Sequence, residues 1–345
     1  MTVSTAPARP PLHVESLATI DPGRGRVHSV VTWEHYVGWA DAAEGPDVDP
    51  NRVVVHDLDT KQTRVLARTR FPGGTIPRVR AGRDSLVYVD MSRVASDADP
   101  ETDWHMYEVS VPTGKARLLA SSSSPADRAD PPLPSLSWPW VAWFQAGADG
   151  SRSVRSLDLR DGEQRELAAS TAGGQLSMDD LTATVYYDDD NGSGGRDVFA
   201  VPADGSAQPR RVTTSGRADF PIARNGGLAW QEPPNADSDS LWYKAGADGE
   251  PRQISVPSDD RPTAGSNPFP GRGFVVWLLG SRLVVRDSTG ALPPVSLQER
   301  DVSIPARRWV EGNRVVWATW TGIGTSNEQS TIYVAEVRVD GTQGP

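Results

Sequence analysis

No cysteine occurs among the 345 residues. Disulfides, thiolate metal sites and a cysteine nucleophile are therefore excluded. Lysine is nearly missing as well. The 35 basic residues include only Lys61, Lys115 and Lys244, and the 45 acidic residues outnumber them, for a formal charge of −10. An acidic chain with so few lysines is a poor match for a phosphate backbone, so no nucleic-acid partner is expected. Long apolar runs are absent too. The longest, Phe274–Leu279, is far too short to span a bilayer as a helix, and no membrane partner is expected. The first twelve residues hold no apolar stretch that could serve as a signal-peptide core, which reads as a cytoplasmic chain. No segment shows a convincing helical period of apolar residues.

What is present is a repeat. Two apolar or small residues followed by Trp or Tyr recur as Val37-Gly38-Trp39, Leu86-Val87-Tyr88, Val141-Ala142-Trp143, Thr184-Val185-Tyr186, Leu228-Ala229-Trp230, Val275-Val276-Trp277 and Val315-Val316-Trp317. Seven copies, spaced 40 to 55 residues apart, account for nearly the whole chain. After each aromatic strand come a loop and a second alternating strand, then a tight turn such as Arg160-Asp161-Gly162 or Ala203-Asp204-Gly205. Asp-Gly and Thr-Gly are hairpin signals, because glycine takes a positive φ without steric cost. A further strand such as 63–67 or 116–120 follows in most copies.

Four short antiparallel strands at this period describe one blade of a β-propeller. The expected fold is therefore all-β: one seven-bladed propeller domain over 1–345, with strands a to d running outwards from the axis. The last repeat stops four residues after Asp340-Gly341, without a strand d, while the first is preceded by the alternating segment His13-Val14-Glu15-Ser16-Leu17-Ala18. A strand over 12–20 is thus expected to complete the last blade, with 1–11 disordered. Closing the ring in this way protects a sheet edge. The recurring Trp39, Trp143, Trp230, Trp277 and Trp317 are expected to pack between blades.

The run Arg224-Asn225-Gly226-Gly227-Leu228-Ala229-Trp230, preceded by Asp197-Val198-Phe199-Ala200-Val201-Pro202-Ala203-Asp204-Gly205, resembles the repeat of TolB-type propellers. The likeness extends over nearly all of the chain. The usual Ser-Pro-Asp-Gly turn is absent, as are the Gly-His and Trp-Asp signatures of WD repeats and the sialidase Asp-box. The resemblance implies the propeller fold. The family spans protein-binding and enzyme-associated members, so it implies no single function.

In a propeller the d–a and b–c loops share one rim. Here they are the long ones, such as 42–51, 91–103, 121–134 and 256–266, whereas the opposite rim has turns of two to four residues. Long loops on one side of a rigid scaffold mark the functional rim. Counting back from the repeat aromatics puts His28, Arg78, Gln175, Asp219, Asn267 and Arg307 at the channel mouth. His28 is the one histidine expected there, a candidate general base with Asp219 or another carboxylate as partner. Arg78, Gln175, Asn267 and Arg307 are candidate ligand-binding residues, since arginine forks suit carboxylates. Trp104 and Trp320 flank b–c loops and are candidates for an apolar lining. Two positions after the aromatics stand Asp41, Asp90, Asp188 and Glu232. They would either cap loop N–H groups or ring the pore as a metal site, for which Ca²⁺ is the suited ion. No other cofactor is expected. Asp188-Asp189-Asp190-Asn191-Gly192 resembles part of a Ca²⁺ loop but lacks its distal glutamate.

Three functions fit these residues. The first is a stand-alone, monomeric propeller that binds a small molecule or peptide at the top mouth. The second is a cofactor-free lyase, isomerase or cyclase using His28 and mouth carboxylates. The third is a protein-interaction scaffold.

Overall fold

β-Branched and aromatic residues are frequent in the strands, and strands consecutive in sequence pair within a blade. In the computed structural model the result is seven four-stranded antiparallel sheets. The structure describes residues 12–23, 26–42, 49–93, 101–149, 151–170, 173–235, 238–246, 249–255, 267–279, 282–297, 307–321 and 329–339. This is the seven-bladed propeller that the repeat and the TolB resemblance imply. The inner strands a are Ser29–Trp33, Thr75–Gly82, Ser135–Ser137, Leu176–Met178, Asp219–Arg224, Phe269–Pro270 and Arg307–Glu311. The expected disorder of 1–11, the Asp340-Gly341 turn and the whole of the 256–266 loop lie outside the described residues.

Closure follows the expected scheme. Strand Leu12–Ile20 pairs antiparallel with Gln329–Val339, from Leu12↔Val339 to Ile20↔Ile332, and so becomes strand d of blade 7. One short helix, Pro125–Ala129, departs from the all-strand reading. Ser124 caps it and Pro125 opens it, a local start signal too short to give a helical period. Among the described residues no helix is long and apolar enough to cross a membrane.

The repeat aromatics do what flat, two-faced blades require. Trp39, Trp143, Trp230 and Trp277 are fully buried, and Trp317 nearly so, filling the gaps between neighbouring sheets. Two polar devices recur around the ring. On inner strands, a serine bonds the backbone of the next blade: Ser29 Oγ meets Val79, Ser135 Oγ accepts from Met178 N (2.9 Å) and Ser177 Oγ accepts from Ala223 N (2.8 Å). On outer strands, an arginine donates to a carbonyl of the next blade: Arg64 to Val111, Arg117 to Leu159 and Arg165 to Asp204. Arg314 ties blade 7 to blade 1 through the Glu34 carbonyl. The long planar fork of arginine reaches such carbonyls, and these contacts are one use of arginine in a chain so short of lysine.

Candidate functional site

The inner strands of blades 2 and 5 both break register near the top. The shift falls between Thr75 and Arg78 in blade 2 and between Asp219 and Ile222 in blade 5. Each irregular stretch holds a proline, Pro77 or Pro221, which has no N–H to give to the ladder. Bulges of this kind re-aim the side chains beside them. Below the blade 2 bulge, Arg78 and Arg80 stand two residues apart and so share one face of the strand.

That face borders a cavity of about 140 Å³ on the propeller axis. Three of its lining residues are arginines: Arg78 and Arg80 from blade 2 and Arg224 from blade 5. Ser135, Gln175, Ser177 and Asn267 add polar groups, and Leu133, Leu176, Ile222, Phe269 and Trp309 add apolar surface. None of the lining residues is acidic.

The floor is closed by an interlocked set. The Arg224 guanidinium lies 3.9 Å from the centre of the Trp309 ring and that of Arg80 lies 4.9 Å from it, cation–π contacts that hold both forks against the indole. Arg224 also pairs with Glu311 at 3.2 Å. Asn225 bridges the floor by donating to the Pro270 carbonyl (3.0 Å) and accepting from Gly312 N (2.8 Å). Burial pushes the Glu311 carboxyl up to about 7; Arg224 opposes that rise and Asp180 adds to it.

Outside the cavity lining, on the far side of Gln175, two carboxyls stand beside one arginine. Asp188 lies two residues before the end of strand Thr184–Asp190 in blade 4 with no exposed side-chain surface, and Asp219 opens blade 5 with 24% of its side chain exposed. Asp219 Oδ1 accepts from Phe220 N at 3.0 Å. Arg196 stands beside both, 2.6 Å from Asp188 Oδ2 and 3.9 Å from Asp219 Oδ1. The N–H of Gln175 donates to Asp188 Oδ1 at 2.5 Å. Gly174 leaves room for the Asp188–Arg196 pair: a Cβ there would crowd Arg196 Nη2 and Asp188 Oδ2. Burial pushes the Asp188 carboxyl well above the usual carboxylate range, Asp219 adds to the rise, and the Gln175 N–H and Arg196 oppose it.

The residues singled out in the sequence divide accordingly. Arg78, Gln175 and Asn267 do line one axial cavity. Arg307 is the first residue of its inner strand, paired with Ala318. His28 does not line the cavity; its ring lies 5.9 Å from that of Trp320, whose indole N–H donates to the Val27 carbonyl. Asp219 accepts from Phe220 N and stands 3.9 Å from Arg196 Nε. Trp104 is 1% exposed and donates its indole N–H to the Asp127 carbonyl, so it is a packing residue and not a ligand contact. The sequence placed it beside a loop, but it begins a strand whose face turns between blades.

Asp41, Asp90, Asp188 and Glu232 do not converge. No three of them come within 4.8 Å of one another. Each serves its own blade: Asp41 binds Arg52 and the Trp39 indole, Asp90 accepts from Thr69 Oγ1 and Arg70 N, and Glu232 accepts from Ser215 Oγ and the Trp230 indole. These are strand-end caps that pin loops and neighbouring side chains. The group of potential ligands that does lie within 4.8 Å, among the described residues, is His35, Asp57 and Asp59 on the opposite rim. The a–b and c–d turns meet there, with Leu58 N donating to the His35 carbonyl at 2.7 Å. A larger cavity of about 600 Å³ lies between blades 2 and 3, but its acidic group, Asp127, is buried and bonded to Ser123.

The sequence did not single out Arg80 and Arg224. The alternation Arg78-Val79-Arg80 was the available signal for the first. Arg224 sits at the end of strand a, which turn position alone assigns to the far rim.

A pH effect on stability follows from Asp188. Its folded carboxyl holds a proton more tightly than an unfolded aspartate does. That contribution is complete below the unfolded value, near pH 4, and is lost as pH rises through the folded one. Asp188→Asn keeps the shape without the charge. Its melting temperature is expected to gain on the parent by several degrees between about pH 5 and about pH 9. Thermal melts of both proteins across that range check this; a difference that does not change with pH contradicts it.

No protein-family model and no curated protein matches this chain. Solved structures do. The propeller domain of the trilobed protease from Pyrococcus furiosus, which has an open velcro topology, superposes with a TM-score of 0.64 at 9% identity, over 94% of this chain and 100% of that one. An oligogalacturonate lyase from Vibrio parahaemolyticus superposes at 0.59 and 11% identity, over 95% and 98% of the two chains. A prolyl endopeptidase superposes at 0.60 and 12% identity over 92% of this chain; this chain spans about half of that enzyme's length. At such identities the likeness is one of fold, and the chain is similar to propellers found both alone and within larger enzymes.

Proposed function

We propose that this protein binds a small carboxylate-bearing molecule in its axial cavity. The observation that carries the reading is the set Arg78, Arg80 and Arg224, converging on about 140 Å³ with no acidic residue in the lining. With Arg224 paired to Glu311, Arg78 and Arg80 bring two further guanidinium groups to the lining in a chain of net charge −10. A narrow cleft with low-dielectric walls focuses that field on an entering anion. Arginine forks bind carboxylates through paired N–H···O contacts, and Gln175, Ser135 and Asn267 offer the neutral polar groups that orient such a ligand. The volume admits one acidic group and a few further atoms, so a longer ligand would enter by its end.

Comparison with known structures supports a carboxylate in particular. One propeller of closely similar length is a lyase named for oligogalacturonate, a chain of acidic sugars.

Isothermal titration with D-galacturonate, acetate and the neutral sugar D-galactose tests the proposal. The acids are expected to bind and the neutral sugar not. Arg78→Gln is expected to weaken the acids by about tenfold to a hundredfold, the range for a lost hydrogen bond to a charged group. Galactose binding as well as galacturonate, or indifference to Arg78→Gln, would contradict it.

A further inference from the structure

Arg224 faces two ways. It ends the inner strand Asp219–Arg224 of blade 5, its side chain is 3% exposed, and it lines the axial cavity. Its Nη1 donates to Glu311 Oε2 at 3.2 Å, while its buried Nη2 has no protein acceptor. A buried donor left unpaired costs free energy, which an oxygen brought to the fork recovers. Glu311 ends the inner strand Arg307–Glu311 of blade 7 and stands outside the cavity lining.

The charged groups around Glu311 come from several blades. Arg314 pairs with it across the strand ladder and donates to the Glu34 carbonyl of blade 1. From blade 4, Asp180 accepts from the N–H of Asn225, the residue after Arg224. From blade 6, Arg272 N donates to the carbonyl of Gly312, the residue after Glu311. From blade 2, Arg80 lies over the same Trp309 ring as Arg224. Strands Ser29–Trp33 and Phe269–Pro270, packed on either side, carry no titratable side chain. Arg224 is the cation in ion-pair contact with Glu311.

An anion in the cavity and the Glu311 carboxylate therefore draw on one guanidinium. Two negative charges flanking one fork repel each other, and the repulsion is relieved when one of them takes a proton. Burial pushes the Glu311 carboxyl up to about 7, so its charge changes in neutral solution, whereas an ordinary carboxylate ligand stays ionised there.

We propose that the axial cavity takes up its anion together with a proton, which Glu311 accepts as the ligand's acid group takes over the Arg224 fork. The bond formed is the Glu311 O–H, and the proton comes from solvent. Glu311 is thus a positioning residue that acts through Arg224. With Glu311 neutral the fork is released to the ligand, so affinity is greatest at low pH and falls as pH rises through the Glu311 value. Linkage makes the effect reciprocal: the bound anion raises the affinity of Glu311 for its proton. The inference rests on the carboxylate-binding reading and adds the regulation of that site.

Isothermal titration with D-galacturonate and with acetate tests it. Affinity is expected to be at least about fivefold tighter near pH 6 than near pH 8. Titrations near pH 7 in imidazole and in Bis-Tris, cationic buffers of different ionisation enthalpy, are expected to show net proton uptake. This comparison uses the parent protein alone and stands whatever the stability of a variant. Glu311→Gln, checked for folding by its melting curve, mimics the neutral form at every pH. It is expected to bind near pH 8 as tightly as the parent does near pH 6, with no proton uptake. Asp188→Asn removes the other carboxyl that burial raises and is expected to keep both the pH dependence and the uptake. Equal affinity at the two pH values without proton uptake would overturn the linkage and leave the anion site standing. So would a pH dependence that survives in Glu311→Gln or disappears in Asp188→Asn. Failure of both acids to bind at either pH would remove the anion site itself.

Discussion

A chain cut after residue 20 is expected to aggregate, or to melt lower by on the order of 10 °C or more. Strand Leu12–Ile20 is the outer strand of a blade whose other three strands come from the far end of the chain. Its removal leaves the eleven residues of Gln329–Val339 as an open edge. It also removes Ile20, 5% exposed, from the cluster it shares with Ile332 and Val334. An edge of that length invites pairing with a second chain, and a propeller that cannot close loses the long-range pairing that makes seven blades one cooperative unit. Size-exclusion chromatography with a thermal melt reads both outcomes. A monomer with an unchanged melting temperature would show that the ring does not depend on this strand.

Trp230→Ala is expected to cost about 3–5 kcal/mol, the range for emptying a buried tryptophan site. Its ring is 1% exposed, lies 6.3 Å from Trp242 with near-parallel planes, and donates to Glu232 Oε1 at 3.1 Å. The loss therefore combines a cavity with a buried carboxylate deprived of a donor. Trp230→Phe separates the two, because it keeps most of the packing and removes the N–H. It is expected to cost about 1–2 kcal/mol, most of it from the missing hydrogen bond. Chemical denaturation of the three proteins measures this. Near-equal stability of Trp230→Ala and the parent would contradict inter-blade packing by the repeat aromatic.

Much of this architecture is legible in the amino-acid sequence. The period of Trp and Tyr gave the number of blades. The missing strand after Asp340-Gly341 and the spare one at His13–Ala18 gave the closure. Such features are local in sequence, and the toroid follows from them because a blade has two faces to cover. The site was legible only in part. Register along a strand sets a residue's height in the channel, which is why Arg78, Gln175 and Asn267 were found. It does not set the lateral neighbour across a blade boundary. Asp188 and Asp219 were accordingly assigned separate roles, one as a metal ligand and one as a partner for His28. That both stand beside Arg196 depends on the turn of blade 5 against blade 4, which no periodicity singles out. The capping of Asp41 and Glu232 by Trp39 and Trp230 was within reach. Residues two apart on a strand share a face, and the pairing recurs at Trp143 and Gln145, 2.9 Å apart.

The central claim is that the axis of this acidic protein is an anion site, and an anomalous scatterer reads it directly. Crystals soaked in selenate should show a selenium peak in the axial cavity, within hydrogen-bond reach of Arg78 and Arg80. The peak should be lost in Arg78→Gln crystals soaked alike. Selenate bound elsewhere on the surface, with the axial cavity holding none, would contradict the account.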